Sequence, residues 1–478
     1  MKRSCLLISL TLAVAGAPSR AADPSGAAKL SPDEAEQIAT DAYVFLYPLV
    51  TIDQTEKVLT NTVKPSGKKA PVNQFANLKE YPSASDHEVT APNADTLYST
   101  AFLDLSNQPM VLSHPDMGNR FYMFPILDAY TNVLKTPGAK ENGGGAATYV
   151  ITGPSWKGGA LPKGATEIKS PTNTAWILGR TYSSGTKEDY AEVHKLQAQY
   201  RLRPLDATDA FQPPAGHVNP KLDSKKSVRD QVDALSGGDF FARGAALMGP
   251  NPPTAADKPI VERMAKLGLR PGQPFDASKL PAEVAAAIEA APKAAQARIK
   301  AQLAKGTKVE NGWMVATKVG RYGTDYDQRA FIAAIGLGAN MPDQAIYPLA
   351  EKDGAGNKLG GANKYAIHFA AGQQPPVKGF WSITMYTPEM FFYANPLNRY
   401  TVSSRTDFHK NADGSIDVLV QHDKPASKEQ QANWLPAPKG GFALMMRLYW
   451  PNEAKPSILD GSWKPPAVAP VQAAHAQR

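Results

Sequence analysis

Proline and glycine interrupt this chain so often that long uninterrupted helices are excluded over most of it. There are 41 prolines and 37 glycines in 478 residues, about a sixth of the total. Proline removes a backbone donor and glycine supplies turn conformations, so punctuation of this density favours short strands joined by turns. Two stretches nevertheless carry helical patterns. One follows the capping box Ser31-Pro32-Asp33-Glu34, where Ile38, Ala42, Phe45, Leu46 and Leu49 recur at helical spacing. Tyr47-Pro48 is expected to kink or end the first part of that helix. The other runs over 205–310 and is rich in Ala, Pro and charge. It reads as a helical insert or connector, with Pro292 interrupting its last piece and the Ala-Lys-Gln content there marking a solvated face.

Strands are expected at Leu97–Leu105, Arg120–Leu127, Ala147–Thr152 and Thr174–Thr181. In the second half they are expected at Tyr365–Ala370, Phe380–Tyr386, Ile416–Gln421 and Phe442–Trp450, with Asp413-Gly414 as a hairpin turn. A helix from Lys187 is capped by Thr186, and another opens at Thr324 with Asp327 at the box position. The pattern describes an α+β, β-rich chain: two antiparallel sandwich or jelly-roll-like domains, an N-terminal helix and a helical insert. The boundaries read as 1–21 for a leader, 30–204 and 311–466 for the two β-rich domains, 205–310 for the insert, and 467–478 for a disordered tail.

The leader reading rests on Met1-Lys2-Arg3, an apolar run over 4–17, and the small-x-small site Ser19-Arg20-Ala21. It makes the expected location periplasmic or secreted. The single cysteine, Cys5, lies inside this leader, so the remaining chain offers no thiol nucleophile, Cys-zinc site or disulfide. No later run approaches about 18 apolar residues, so no membrane span is expected. The formal charge of +8 falls to +5 without Lys2, Arg3 and Arg20, and the lysines are scattered. Nucleic-acid binding is therefore not expected. No two of the eight histidines have metal-binding spacing, and there is no nucleophile elbow, P-loop or dinucleotide fingerprint. No cofactor or metal is expected.

The densest polar run is 92–132. It opens Pro92-Asn93-Ala94-Asp95-Thr96-Leu97-Tyr98-Ser99 and closes Leu127-Asp128-Ala129-Tyr130-Thr131-Asn132. Asp95 and Asp128 are the candidate acid and base, since two carboxylates in different environments can divide those roles. Asn93, Tyr98, Tyr130 and Asn132 could hold a polyol or glycan. Arg180 and Arg120 are candidate partners for Asp128. In the second half, Asp325 and Arg329 stand four apart on one helix, either as an ion pair or with the guanidinium aimed at an anion. Trp381, Tyr386, Asn395, Arg399 and Tyr400 supply further aromatic and cationic groups. Trp381 reads as core, and Arg399 as an anion contact. Each also has a plain structural reading, such as Asx turns at Asn93 and Asp95.

These motifs carry a family resemblance. Pro92–Ser99, Gly153-Pro154-Ser155-Trp156 and Trp176–Arg180 resemble the N-terminal half of a bacterial family. Tyr322–Ala330, Gly336-Leu337-Gly338-Ala339-Asn340, Phe380–Tyr386 and Asn433–Pro438 resemble its C-terminal half. The family is that of the paired domains of unknown function numbered 1254 and 1214, and the likeness runs from about Ala42 to Pro466. It implies two β-rich domains, the second jelly-roll-like, often in exported bacterial proteins. It implies no established reaction and no agreed catalytic set. The expected function is thus binding of a small polar molecule or glycan in a pocket between the domains, with carboxylate-based hydrolase or lyase chemistry if catalytic. The alternative is a non-catalytic cell-envelope binding or assembly protein, whose β edges would support a homo-oligomer.

Overall fold

The computed structural model describes residues 30–87, 90–304 and 308–471. The expected leader and residues 472–478 lie outside them.

The chain opens with the helix Pro32–Thr60, capped by Ser31, whose Oγ accepts the Glu34 N–H at 3.2 Å. Pro48 sits inside the helix without ending it. The stripe Ile38, Ala42, Phe45, Leu46 and Leu49 is fully buried. It is covered by the helices Gly237–Leu247, Lys258–Ala265, Ala282–Ala301 and Tyr326–Ile335, which form one core with it. The insert is therefore not a mere connector. Its last helix runs through Pro292, and its alanines form a packing seam: Ala287, Ile288, Ala291, Ala295 and Ile299 are buried. Small side chains there let two helix axes approach closely, so that face is packed and not solvated.

The first β-rich half is a sandwich. One sheet runs Ala76–Asn77, Thr96–Asp104, Thr174–Tyr182, Ile126–Asp128, Val133–Lys135, with Tyr122–Met123 also on Thr174–Tyr182. The facing sheet runs Arg201–Pro204, Met110–His114, Ala147–Thr152, Thr166–Lys169. Leu103, Leu112, Ile126, Ile151 and Ile177 fill the space between them. The expected strand 120–127 is split in two. The second half repeats the arrangement. A sheet led by the long pair Val377–Tyr386 and Ala443–Pro451 faces one that runs Trp434–Pro436, Ile416–Gln421, Tyr365–Phe369, Val468–Pro470. Pairing is antiparallel except where Thr166–Lys169 and Trp434–Pro436 join parallel, one in each smaller sheet. Val468–Pro470 forms an edge strand on Tyr365–Ile367, so the chain is still part of the fold where a tail was expected.

The halves meet sheet against sheet. Phe121 and Met123 of the first pack on Phe380 and Tyr449 of the second. The strand Thr96–Asp104 is consequently covered on both faces. Ala101 and Leu103 point into its own sandwich, while Tyr98 and Phe102 join a cluster with Leu337 and Met341.

Candidate functional site

The polar run divides between two places. Thr96 pairs with Tyr182 at one end of the strand Thr174–Tyr182, and Asp128 pairs with Ala175 at the other. Seven residues of extended chain put Asp95 and Asp128 roughly 23 Å apart. They do not form an acid–base pair. Arg120 and Arg180 do not pair with Asp128 either: Arg120 holds Asp189 at 2.7 Å, and Arg180 lies at the Asp95 end.

Asn93, Asp95, Tyr98 and Arg180 come together between the two halves. The Asn93 side chain has two jobs. Its Oδ1 accepts the N–H groups of Asp95 (2.7 Å) and Thr96 (3.1 Å), an Asx turn that starts the strand, and its Nδ2 donates to the Tyr449 hydroxyl at 2.7 Å. Asp95 is fully buried. Its carboxylate accepts from Ser382 Oγ at 2.6 Å and from Arg405 Nη2 at 3.1 Å, both across the junction. One strand pair further in, Tyr98 stands opposite Arg180. Arg180 donates Nε–H to the Tyr98 hydroxyl at 3.1 Å and Nη1–H to Asn340 Oδ1 at 2.9 Å. Asn340 in turn donates to Tyr347.

Arg447 closes the group from the strand Ala443–Pro451. It is 3% exposed and donates to Thr384 Oγ1 (2.7 Å), the Tyr386 hydroxyl (2.6 Å) and the carbonyls of Ala91 and Pro92. Ala91 takes a left-handed conformation, φ 51°, to present its carbonyl there. Among the described residues, every acceptor that Arg180 and Arg447 reach is uncharged. Burial pushes the Tyr98 phenol up, but Arg180, Arg447 and the hydrogen bonds from Arg180 and Asn93 outweigh it and hold the phenol below the ordinary tyrosine value. Burial drives Tyr449 the other way, reinforced by Tyr347 and Tyr98. A phenol of unusual acidity between two buried cations can exchange a proton or face an anionic group.

Asp128, Tyr130, Asn132 and Arg329 form the second place, where the loop after Ile126–Asp128 meets the helix Tyr326–Ile335. Asp128 Oδ1 accepts the N–H groups of Tyr130 and Asn132, each at 2.9 Å, and its Oδ2 accepts Asn132 Nδ2 at 3.0 Å. Burial raises its pKa, against those hydrogen bonds and the nearby Arg329. Asp325 does not pair with Arg329. It is the N-cap of that helix and accepts the Gln328 N–H at 3.1 Å, while Asp327 holds Arg298. Arg399 lies elsewhere. Its Nη1 donates to the carbonyls of Gln431, Ala432 and Trp434, so it closes the end of the helix Lys428–Ala432 and is no anion contact. Trp381 is core, as expected.

Sequence reasoning passed over Arg447, Arg405, Asn340, Tyr347 and Tyr449. Arg447 was legible in principle, as a lone charge inside the apolar strand Ala443–Pro451. Asn340 is placed by Gly338, whose φ of 82° carries the chain so close to Leu178 that an added Cβ would meet its Cδ1 at 2.3 Å. Nothing local marks Arg405.

This is a β-rich α+β protein of two domains that close over a buried polar junction. Residues 72–204 match the model of a protein of unknown function, DUF1254, and residues 344–453 that of another, DUF1214. The chain belongs to the family in which these two domains are paired. Its fold is similar to that of the VPA0106 protein from Vibrio parahaemolyticus, with a TM-score of 0.67 and 21% identity over 92% of this chain and 100% of that one. An uncharacterized protein from Burkholderia cenocepacia aligns at a TM-score of 0.41 and 14% identity, covering 89% of this chain and 92% of its own. No curated protein matches the sequence.

Proposed function

We propose that the junction binds a small polar molecule through an anionic group, with Tyr98 as the residue that exchanges a proton with it. One observation carries this reading: Arg180 and Arg447 are buried around Tyr98 and reach only uncharged acceptors. Buried cations are normally compensated; Asp95 does so in part for Arg447, and an ionised phenol or a ligand's anion would do so for Arg180. Asp95 is committed to Ser382 and Arg405, which leaves Tyr98 as the group that faces the ligand. The test is calorimetric titration of the full chain with phosphate, succinate and glucuronate. At least one should bind, and Arg180→Gln should weaken it by tenfold or more. No binding of any, or equal binding in the variant, would overturn the reading.

A second reading has its own support. Asn93, Asp95 and Arg447 each make a contact that crosses between the halves, so the same network would fix their orientation in a non-catalytic envelope protein. In that case Tyr98→Phe lowers the melting temperature and moves no ligand affinity. The proposal includes export, supported by the basic start, the apolar run and Ser19-Arg20-Ala21. Mature protein from the host should begin at Ala22, and retention of Met1 would exclude this route. Among the described residues, no helix is long and apolar enough to cross a membrane.

A further inference from the structure

Arg329 is 2% exposed, and its Nε and Nη2 have no hydrogen-bond partner. These two nitrogens are not an arbitrary pair. They form one edge of the guanidinium, where two N–H bonds run parallel at the spacing of carboxylate oxygens. Three rings hold the cation in place. Its central carbon lies 5.2 Å from the ring centres of Phe45 and Tyr130 and 5.0 Å from that of Tyr326. Aromatic faces compensate a positive charge but accept N–H groups poorly, so the charge is accommodated while the buried fork is left without an acceptor.

The nearby carboxylates do not fill it. Asp128 is occupied by the backbone of Tyr130 and Asn132 and the Asn132 amide. Asp257 takes the Tyr326 hydroxyl at 3.0 Å and both donors of Thr254. The loop facing Arg329 carries a further sign of a built site. Thr131 is held at φ 70°, an unfavourable conformation for a β-branched residue, with its buried Oγ1 also unpartnered.

We propose that Arg329 is the anchor of a second binding site, distinct from the junction around Tyr98, for the carboxylate of a small monocarboxylic acid. The carboxylate would lie side-on along the Nε–Nη2 edge. The planar two-oxygen group matches the unpartnered edge, which a single water oxygen cannot fill with two straight hydrogen bonds. A tetrahedral oxyanion would leave its other oxygens facing aromatic carbon.

Acetate is the probe. Arginine Nε–H resonances are followed by NMR in the full chain as sodium acetate replaces sodium chloride at constant ionic strength. The Arg329 resonance is assigned by its loss in Arg329→Lys, which keeps the charge and removes the fork. The expected result is a saturable shift of that resonance, together with planar density on the Nε–Nη2 edge in acetate-soaked crystals of the unsubstituted protein. The soak keeps the test open if Arg329→Lys does not fold. A resonance that does not respond, a response equal in chloride, or water alone on the edge would overturn the proposal. Since the readout is local to Arg329, its outcome is independent of ligand binding at Arg180.

Discussion

Arg180 lies over the face of Tyr98, its central carbon 4.9 Å from the ring centre, and also donates to the Tyr98 hydroxyl at 3.1 Å. The two face each other across antiparallel strands, so the pleat sets their contact. Arg447 adds a second cation from the other half of the molecule. A phenol so placed should be the most acidic tyrosine of the group.

Spectrophotometric titration should accordingly show a tyrosine ionising below the normal range. Tyr98→Phe should remove that phase and leave the rest. An unchanged titration in the variant would assign the phase to another residue.

Asp95 and Asp128 should behave as independent sites. Asp95→Ala strips the partner from Arg405 and Ser382, and Asp128→Ala frees the loop N–H groups of Tyr130 and Asn132. Each should cost about 2–4 kcal/mol in urea unfolding, because buried donors lose their acceptors. With roughly 23 Å between them along the strand, the double variant should be additive within about 0.5 kcal/mol. A larger coupling would mean that the two acids communicate.

Gly338→Ala should destabilise the protein by about 1–3 kcal/mol or more, since a Cβ at φ 82° is strained and meets Leu178. It should also loosen Asn340 from Arg180. Gly356→Ala, at φ 91° but with open space around it, is the control for strain without collision. Equal melting temperatures for the two variants would contradict the close approach.

Glu56 provides a pH test. Burial, helped by Asp53 and Asp104 and opposed by Lys57, pushes its pKa up from 4.5 to about 7. The folded state therefore binds the proton more tightly than the unfolded chain. The stabilisation is fully present below 4.5 and is lost as pH rises to about 7, above which it stays lost. Glu56→Gln should flatten stability over that window and make the protein more stable than the parent at pH above about 7. An unaltered pH profile in the variant would assign the dependence to other groups.

Local rules carried much of the secondary structure. Ser31 and Thr186 cap the helices they were expected to cap, and Ala147–Thr152 is a strand with the expected limits. They worked because caps and alternation depend on neighbours a few residues away. They failed where tertiary packing overrode a local signal. Pro48 and Pro292 sit inside intact helices, because each helix is clamped along its length by the other and by the helices around them. Asp325 and Arg329 have the spacing of an ion pair, yet one caps the helix and the other turns to three aromatic rings.

By itself, the sequence determined the family, the β-rich character and part of the set of polar residues that are buried together. Those properties live in short motifs, and the motifs are continuous in the chain. Which polar residues meet was decided by tertiary structure alone. Asp95 and Asp128 belong to one run yet lie at opposite ends of a strand, while Tyr98 and Arg447, 349 positions apart, share one buried field. The physical reason is that a charge buried away from water must be compensated by whatever the packed sheets bring within reach. No spacing along the chain encodes which two sheets will face each other.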